Sequence, residues 1–285
     1  MNTRARLAVA ASTAALALAL AGCGAAAGEE QPSSAGAGLS ELITPGQLTV
    51  GLVLPDAPYY VADANNVPTS GITKDLLDAV GKELGVKVTY VPVAWEGGIT
   101  GIAAGRYDIF GGSLYDTTER QAAGTFIDFM KEQATLITTK DRAAEFSTQL
   151  DACGRSVATI RGTTDVTYAG TLSDQCTKEG KKPLTITEYP TQQDAELALE
   201  SGRTDLGIQS VPAAEFAITQ GSNRALVGTP FDGGFYVGSM MNSSKKDLID
   251  AVHGAMSTLY KNGTTTKLFA AYGVKPAEPG INLQK

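Results

Sequence analysis

Two short stretches of this 285-residue chain carry the groups best suited to gripping an anion. Gly162-Thr163-Thr164 follows a run that reads as a strand and opens a helical pattern. Two hydroxyls and free backbone N–H groups then gather at the positive end of a helix dipole, where anions are held. N-capping by a threonine is compatible with the same geometry. The second stretch is Asp116-Thr117-Thr118-Glu119-Arg120, whose guanidinium fork matches a carboxylate bidentately. The same residues also read as a helix-capping box with Arg120 an exposed first-turn side chain, and spacing alone leaves both readings open. Other chemistry is poorly supplied. The one histidine, His253, sits in a helical pattern near the C-terminus and reads as a solvated helix residue. No catalytic residue, metal or cofactor is expected.

The three cysteines have separable roles. Leu20-Ala21-Gly22-Cys23 closes a segment with Arg4 and Arg6 ahead of an unbroken apolar run from Leu7 to Ala21. That run is too short and too rich in small residues to prefer a membrane span, and residues 1–22 read as a signal peptide. Cys23 resembles the cysteine that bacterial lipoproteins acylate, so a lipid anchor on the outer face of the cell membrane is expected. Cys153 and Cys176 remain as an even pair in an oxidising compartment, where a disulfide is the default. Removing residues 1–22 takes away two arginines and no acid, leaving 21 basic and 30 acidic side chains, a formal charge of −9. Nucleic acid is an unsuitable partner for such a chain.

The elements that must position these groups follow from the hydrophobic pattern. Residues 23–38 are dominated by Gly, Ala, Ser, Glu, Gln and Pro, a composition that behaves as a flexible tether. Leu48 to Leu54 reads as a buried strand, Lys74 to Leu84 as a helix with Leu76, Leu77, Val80 and Leu84 on one face, and Val86 to Val93 as an alternating strand. Helix Gly97 to Gly105 and strand Tyr107 to Gly111 repeat the theme. It begins again after Cys153 with strands Ser156–Ile160, Leu184–Tyr189 and Thr204–Gln209, and helices entered at Gly162, Gln193 and Ala213. A final helix carries Leu248, Ile249, Val252, Met256 and Leu259. Such βαβ units require right-handed crossovers and sheets covered by helices. A folded length beyond what one core usually supports predicts two α/β lobes with a ligand cleft between them.

The order of motifs now carries a resemblance. Gly71-Ile-Thr-Lys-Asp-Leu-Leu-Asp-Ala-Val, Leu84-Gly-Val-Lys-Val-Thr-Tyr, Trp95, Gly105-Arg-Tyr-Asp108, Thr117-Thr-Glu-Arg120 and Phe126-Ile-Asp-Phe129 stand in one sequence order. Gly162-Thr-Thr, Ala198-Leu-Glu-Ser-Gly-Arg203-Thr-Asp205 and Lys261-Asn-Gly263 continue it. Together they resemble the extracellular solute-binding proteins, family three, the polar amino-acid receptors of ABC importers. The resemblance implies an α/β, two-lobed type II periplasmic-binding-protein fold with two crossover strands. It places residues 39–135 and 236–285 in lobe 1 and residues 136–235 in lobe 2. It also implies a monomer that captures an amino acid or related small carboxylate by hinge closure and delivers it to a membrane permease, with no enzymatic activity.

Counted from Asp108, the family's carboxylate-clamping arginine falls on Arg120, which settles the earlier ambiguity in favour of a ligand role. Gly112 and Ser113 fall at the strand end where the family's backbone approaches the ligand, and Thr163, Thr164, Ile160, Arg161 and Asp165 surround the facing helix start. Trp95 matches a pocket aromatic, with Tyr59 and Tyr115 nearby, while Tyr60 is read as core. The departures are on the ammonium side. Ser210 stands where the family places an aspartate, Tyr115 stands where a small hydroxyl residue is common, and the acidic and aromatic positions beside the first strand fall on Val53 and Asp56. Asp56, Asp116 and Asp165 are the candidate replacements for the missing charge. A rearranged ammonium site leaves room for an amino-acid derivative or compatible solute as ligand. A ligand-presenting sensor and a dehydratase-type enzyme are the alternatives on the same scaffold.

Overall fold

A computed structural model of the chain describes residues 39–231 and 234–285. The signal peptide of residues 1–22, Cys23 and the tether of residues 23–38 lie outside the described residues. Along the chain the strands are β1 (Gln47–Leu52), β2 (Val61–Ala62), β3 (Pro68–Ser70), β4 (Lys87–Pro92), β5 (Ile109–Tyr115), β6 (Thr125–Glu132) and β7 (Ala134–Thr139). They continue as β8 (Ser156–Ile160), β9 (Thr185–Tyr189), β10 (Leu206–Ser210), β11 (Arg224–Val227), β12 (Phe235–Met241) and β13 (Pro276–Ile281). The α-helices are α1 (Ile72–Leu84), α2 (Trp95–Ala103), α3 (Thr118–Gln121), α4 (Thr164–Lys178), α5 (Gln192–Glu200), α6 (Val211–Thr219), α7 (Lys246–Lys261) and α8 (Thr264–Ala270).

Two large sheets organise these elements. The first has the order β13-β6-β12-β5-β1-β4, the second β11-β7-β10-β8-β9. β1 runs parallel to both β4 and β5, and β8 runs parallel to β9 and β10, as the repeated βαβ pattern requires. The antiparallel strands are β12, β6 and β13 in the first sheet and β7 and β11 in the second. Only Gln133 separates β6 from β7, so the chain passes from one sheet to the other in a single residue. The return runs from β11 to β12. The two crossings are tied together, because Gln133 Nε2 donates to the Phe231 carbonyl at 2.8 Å and the Phe231 N–H donates to Ala134 at 2.8 Å.

Each sheet buries apolar side chains under helices. Leu48, Val50 and Leu52 of β1 pack with Ile72, Leu76, Leu77 and Val80 of α1 and with Leu248, Val252 and Met256 of α7. Val157, Leu206 and Ile208 pack with Ala169, Leu172 and Cys176 of α4. Cys153 and Cys176 are joined, with Cα atoms 5.5 Å apart, which fastens α4 to the loop before β8. His253 is only half-buried, and its Nε2 lies 3.2 Å from the Pro279 carbonyl of β13.

Sequence periodicity misses β13 and the small β2–β3 hairpin, and it starts α2 two residues late. The helix α2 lies close on β5 and on Tyr107 just ahead of that strand. A Cβ on Gly98 would fall 2.0 Å from the Phe110 ring, and one on Gly101 would fall 2.0 Å from the Tyr107 hydroxyl. Glycine at both places permits that approach, and the approach sets Trp95 at the rim of the cleft.

Candidate functional site

Residues from both sheets line a cleft of about 750 Å³, within the size range of small-molecule sites. The chain around the first sheet contributes Asp56, Tyr59, Trp95, Ser113, Tyr115, Arg120 and Glu132, and the chain around the second contributes Ile160, Thr163, Thr164, Asp165 and Ser210. The expected residues are thus brought together, with three exceptions. Arg161 is exposed and off the cleft wall, its N–H bonded to the Tyr189 carbonyl at 2.9 Å. Gly112 is also off the wall. Its φ of +105° belongs to a bulge, since Gly238 of β12 faces Leu114 while Ser239 faces Gly111, leaving Gly112 and Ser113 unmatched. A Cβ at Gly112 would meet Thr73 Cγ2 at 2.1 Å, so the glycine serves packing and the bulge turns Ser113 to the cleft. Asp116, fully buried, accepts hydrogen bonds from Gln121 Nε2 at 2.8 Å and from the Gln284 N–H at 3.1 Å, away from the ligand space.

Arg120 lines the cleft with its guanidinium free of any carboxylate among the described residues. It lies in α3, capped by Thr117, whose hydroxyl accepts the Arg120 N–H at 3.2 Å. Its guanidinium donates to the Tyr115 carbonyl at 2.9 Å and sits 5.3 Å over the Trp95 ring. Burial lowers its pKa, opposed by the nearby charges of Glu119 and Asp165. The cleft's other arginine, Arg224, is already engaged. Its guanidinium meets Glu196 at 2.9 and 3.0 Å and Glu200 at 3.2 Å.

Across the cleft, Gly162 takes a φ of +73°, and a Cβ there would sit 3.5 Å from Trp95 Nε1. Thr163 caps α4, and its hydroxyl donates to the Ile160 carbonyl at 2.8 Å while accepting the Asp165 N–H at 3.3 Å. The threonine expected to hold a carboxylate has therefore committed its only proton. Ser113 has done the same toward Asp56.

Among the described residues, four carboxyl groups lining this cleft lack a cationic partner: the exposed Glu96 and the desolvated Asp56, Asp165 and Glu132. Desolvation pushes Asp56 up to about 7, against the lowering hydrogen bond from Ser113. It pushes Asp165 up to about 7, against Thr163 and Arg120. It pushes Glu132 up to about 8, against the hydroxyls of Tyr59 and Tyr115. Carboxyls desolvated in this way hold their protons to higher pH than free ones, and an arriving positive charge favours their ionised forms. Glu132 is the residue that sequence reasoning passes over, because no motif or capping pattern singles it out. The available signal is an acid following Lys131 at the end of the largely buried strand β6, where Lys131 is exposed and Glu132 is not.

A cleft between two crossover-linked α/β sheets, with one uncommitted arginine facing a cluster of unpaired acids, defines a receptor for a small solute. Residues 48–275 match the bacterial extracellular solute-binding proteins, family 3, and the chain belongs to that family. A relative from Corynebacterium glutamicum, the arginine-binding protein ArgT, is 27% identical over 234 residues, spanning 81% of this chain and 75% of its own. Among solved structures, an ancestral amino acid-binding protein described as a precursor of cyclohexadienyl dehydratase is 26% identical, with a TM-score of 0.69 over 82% of this chain and 98% of that one. An amino acid ABC transporter substrate-binding protein from Streptococcus pneumoniae, bound to L-arginine, shares the fold at 21% identity with a TM-score of 0.68, over 80% of this chain and 94% of that one.

Proposed function

We propose that this protein is the capture component of an ABC importer for a cationic amino acid. The observation that carries this reading is the set Asp56, Glu132 and Asp165, three desolvated carboxyls without a cationic partner in one cleft with Arg120. Arg120 takes the ligand carboxylate, and the acids take positive charges on the remainder of the molecule. The arginine-binding relative supports a cationic ligand. Lobe 1 (39–135 and 236–285) and lobe 2 (136–235) close on the ligand about the paired crossings, the monomer is tethered through a lipid on Cys23, and the closed form docks on a membrane permease.

Calorimetric titration with arginine, lysine, ornithine, glutamine and glutamate tests the specificity. Arginine or another cationic side chain is expected to bind most tightly, and a preference for glutamate would overturn the reading. Small-angle scattering is expected to show a smaller radius of gyration with ligand bound.

One observation favours a second reading. Glu132 is a carboxylic acid kept protonated near neutral pH inside the cleft, which a dehydratase-type proton transfer needs. Mass spectrometry of ligand recovered after long incubation separates the two, since a receptor returns it unchanged.

A further inference from the structure

The acid that the family places at position 210 is absent, yet the surroundings of Ser210 are not without one. Tyr59, on the loop after β1, brings its hydroxyl to 2.9 Å from Ser210 Oγ and at the same time donates it to Glu132 Oε2. Ser210 is committed as the cap of α6, accepting the Ala213 N–H at 3.3 Å, so it has no spare capacity for charge. Glu132 is 7% exposed and lines the cleft, and among the described residues its Oε1 has no hydrogen bond of normal geometry, the Tyr115 hydroxyl being the nearby group that favours its ionised form. A carboxyl oxygen buried and unpartnered at a ligand-sized cavity points to a cation that completes it.

We propose that Glu132 is the group that holds the ligand's ammonium, presented from the end of the crossing strand and oriented by Tyr59, in place of the acid missing at position 210. The proposal rests on the amino-acid-receptor reading. It differs from the sequence expectation, in which Asp56, Asp116 or Asp165 filled this role. The groups facing Glu132 are Asp56 and Tyr59 from the loop after β1, Tyr115 from β5, and Asp165 and Tyr168 from α4. All of them are acidic or neutral. Lys131, its neighbour on β6, turns to the opposite face and lies over the Tyr236 ring at 5.3 Å. An ammonium arriving beside Oε1 therefore meets no competing cation and favours the ionised carboxylate. Since burial pushes Glu132 up to about 8 without ligand, its own share of the protons released on loading near neutral pH is about one.

The test uses Glu132→Gln, which keeps the volume and an acceptor for the Tyr59 hydroxyl. Two ligand pairs are titrated into wild type and variant: arginine with 5-guanidinopentanoate, which lacks the α-ammonium, and glutamine with glutaramate, which lacks it likewise. Wild type is expected to prefer the amino acid in at least one pair. In that pair the variant is expected to lose about 100-fold in affinity for the amino acid and less than about threefold for its des-amino counterpart. Titration in buffers of different ionisation enthalpy is expected to show wild type releasing more protons than the variant by about one, the remainder coming from Asp56 and Asp165 in both. Equal losses for both members of a pair, or unchanged proton release, would overturn the assignment. Discrimination within the glutamine pair with no arginine binding would leave Glu132 in its role and overturn the cationic-ligand reading alone. No binding of any of the four by wild type would overturn both.

Discussion

Tyr59 and Ser210, 151 residues apart in the chain, meet through their hydroxyls at 2.9 Å across the two sheets. The Tyr59 proton goes to Glu132, so one phenol links the last residue of β6 in the first sheet to the N-cap of α6 at the end of β10 in the second. Tyr59→Phe removes both contacts while leaving the ring. It is expected to cost about 1–2 kcal/mol in stability, and to push the Glu132 carboxyl higher still by taking away a donor that favours its ionised form. Thermal denaturation and a pH titration of ligand affinity measure these two effects. An unchanged melting temperature would show that the link is idle.

Arg120→Ala is expected to weaken ligand affinity by about 2–5 kcal/mol, because it leaves a desolvated carboxylate facing Glu119 and Asp165 without a cation. Arg120→Lys is expected to recover little, since an ammonium reproduces neither the fork nor the stacking over Trp95. Stability without ligand should change little in either variant, because Arg120 makes no ion pair. Full recovery by lysine in a titration would show that charge alone is read at this position.

What could be read from the sequence divides along a physical line. Periodic burial gave away the strands and helices that carry the cleft, because α1, α7 and β1 each bury one regular face. The caps at Thr117 and Thr163 were legible because capping is local, whereas spacing left the role of Arg120 open and only the resemblance assigned it one. Glu132 was not, since its significance depends on Tyr59 folding back across the cleft from 73 residues away. The destination of Asp116 was hidden for the same reason. Its partners Gln121 and Gln284 include a residue 168 positions distant, which no local pattern reports.

The Cys153–Cys176 bridge joins the loop before β8 to the C-terminal half of α4, whereas the cleft is lined by Thr164 and Asp165 at the start of that helix. Cys176 is eleven residues beyond Asp165, a separation of about 16 Å along the helix. Replacing both cysteines by serine is therefore expected to lower stability by about 3 kcal/mol with little change in affinity for ligand. Denaturant unfolding and calorimetry check the two halves separately. A large loss of affinity at preserved secondary structure would show that the bridge sets the position of the helix start.

The acids of this protein predict an unusual pH profile. Asp56 and Asp165 are pushed up to about 7, and Glu132 and Asp128 up to about 8, each chiefly by burial. Asp128 lies beside the buried Asp116 rather than in the cleft. A carboxyl whose pKa is raised on folding holds its proton more tightly in the native state than in the unfolded chain. Its contribution to stability is then complete below about pH 4 and is lost as pH rises through the folded value. The ligand-free protein is expected to melt several degrees higher near pH 5.5 than near pH 8.5. Glu132→Gln and Asp128→Asn should each flatten part of that slope. Only the first should also alter its dependence on ligand, because a bound cation favours the ionised form of the cleft acids and not of Asp128. The stabilisation given by a saturating cationic ligand should accordingly grow with pH over the same window. A melting temperature of the free protein that rises from pH 5.5 to 8.5 would show that these carboxyls are ionised in the fold, and that the cleft is charged before the ligand arrives.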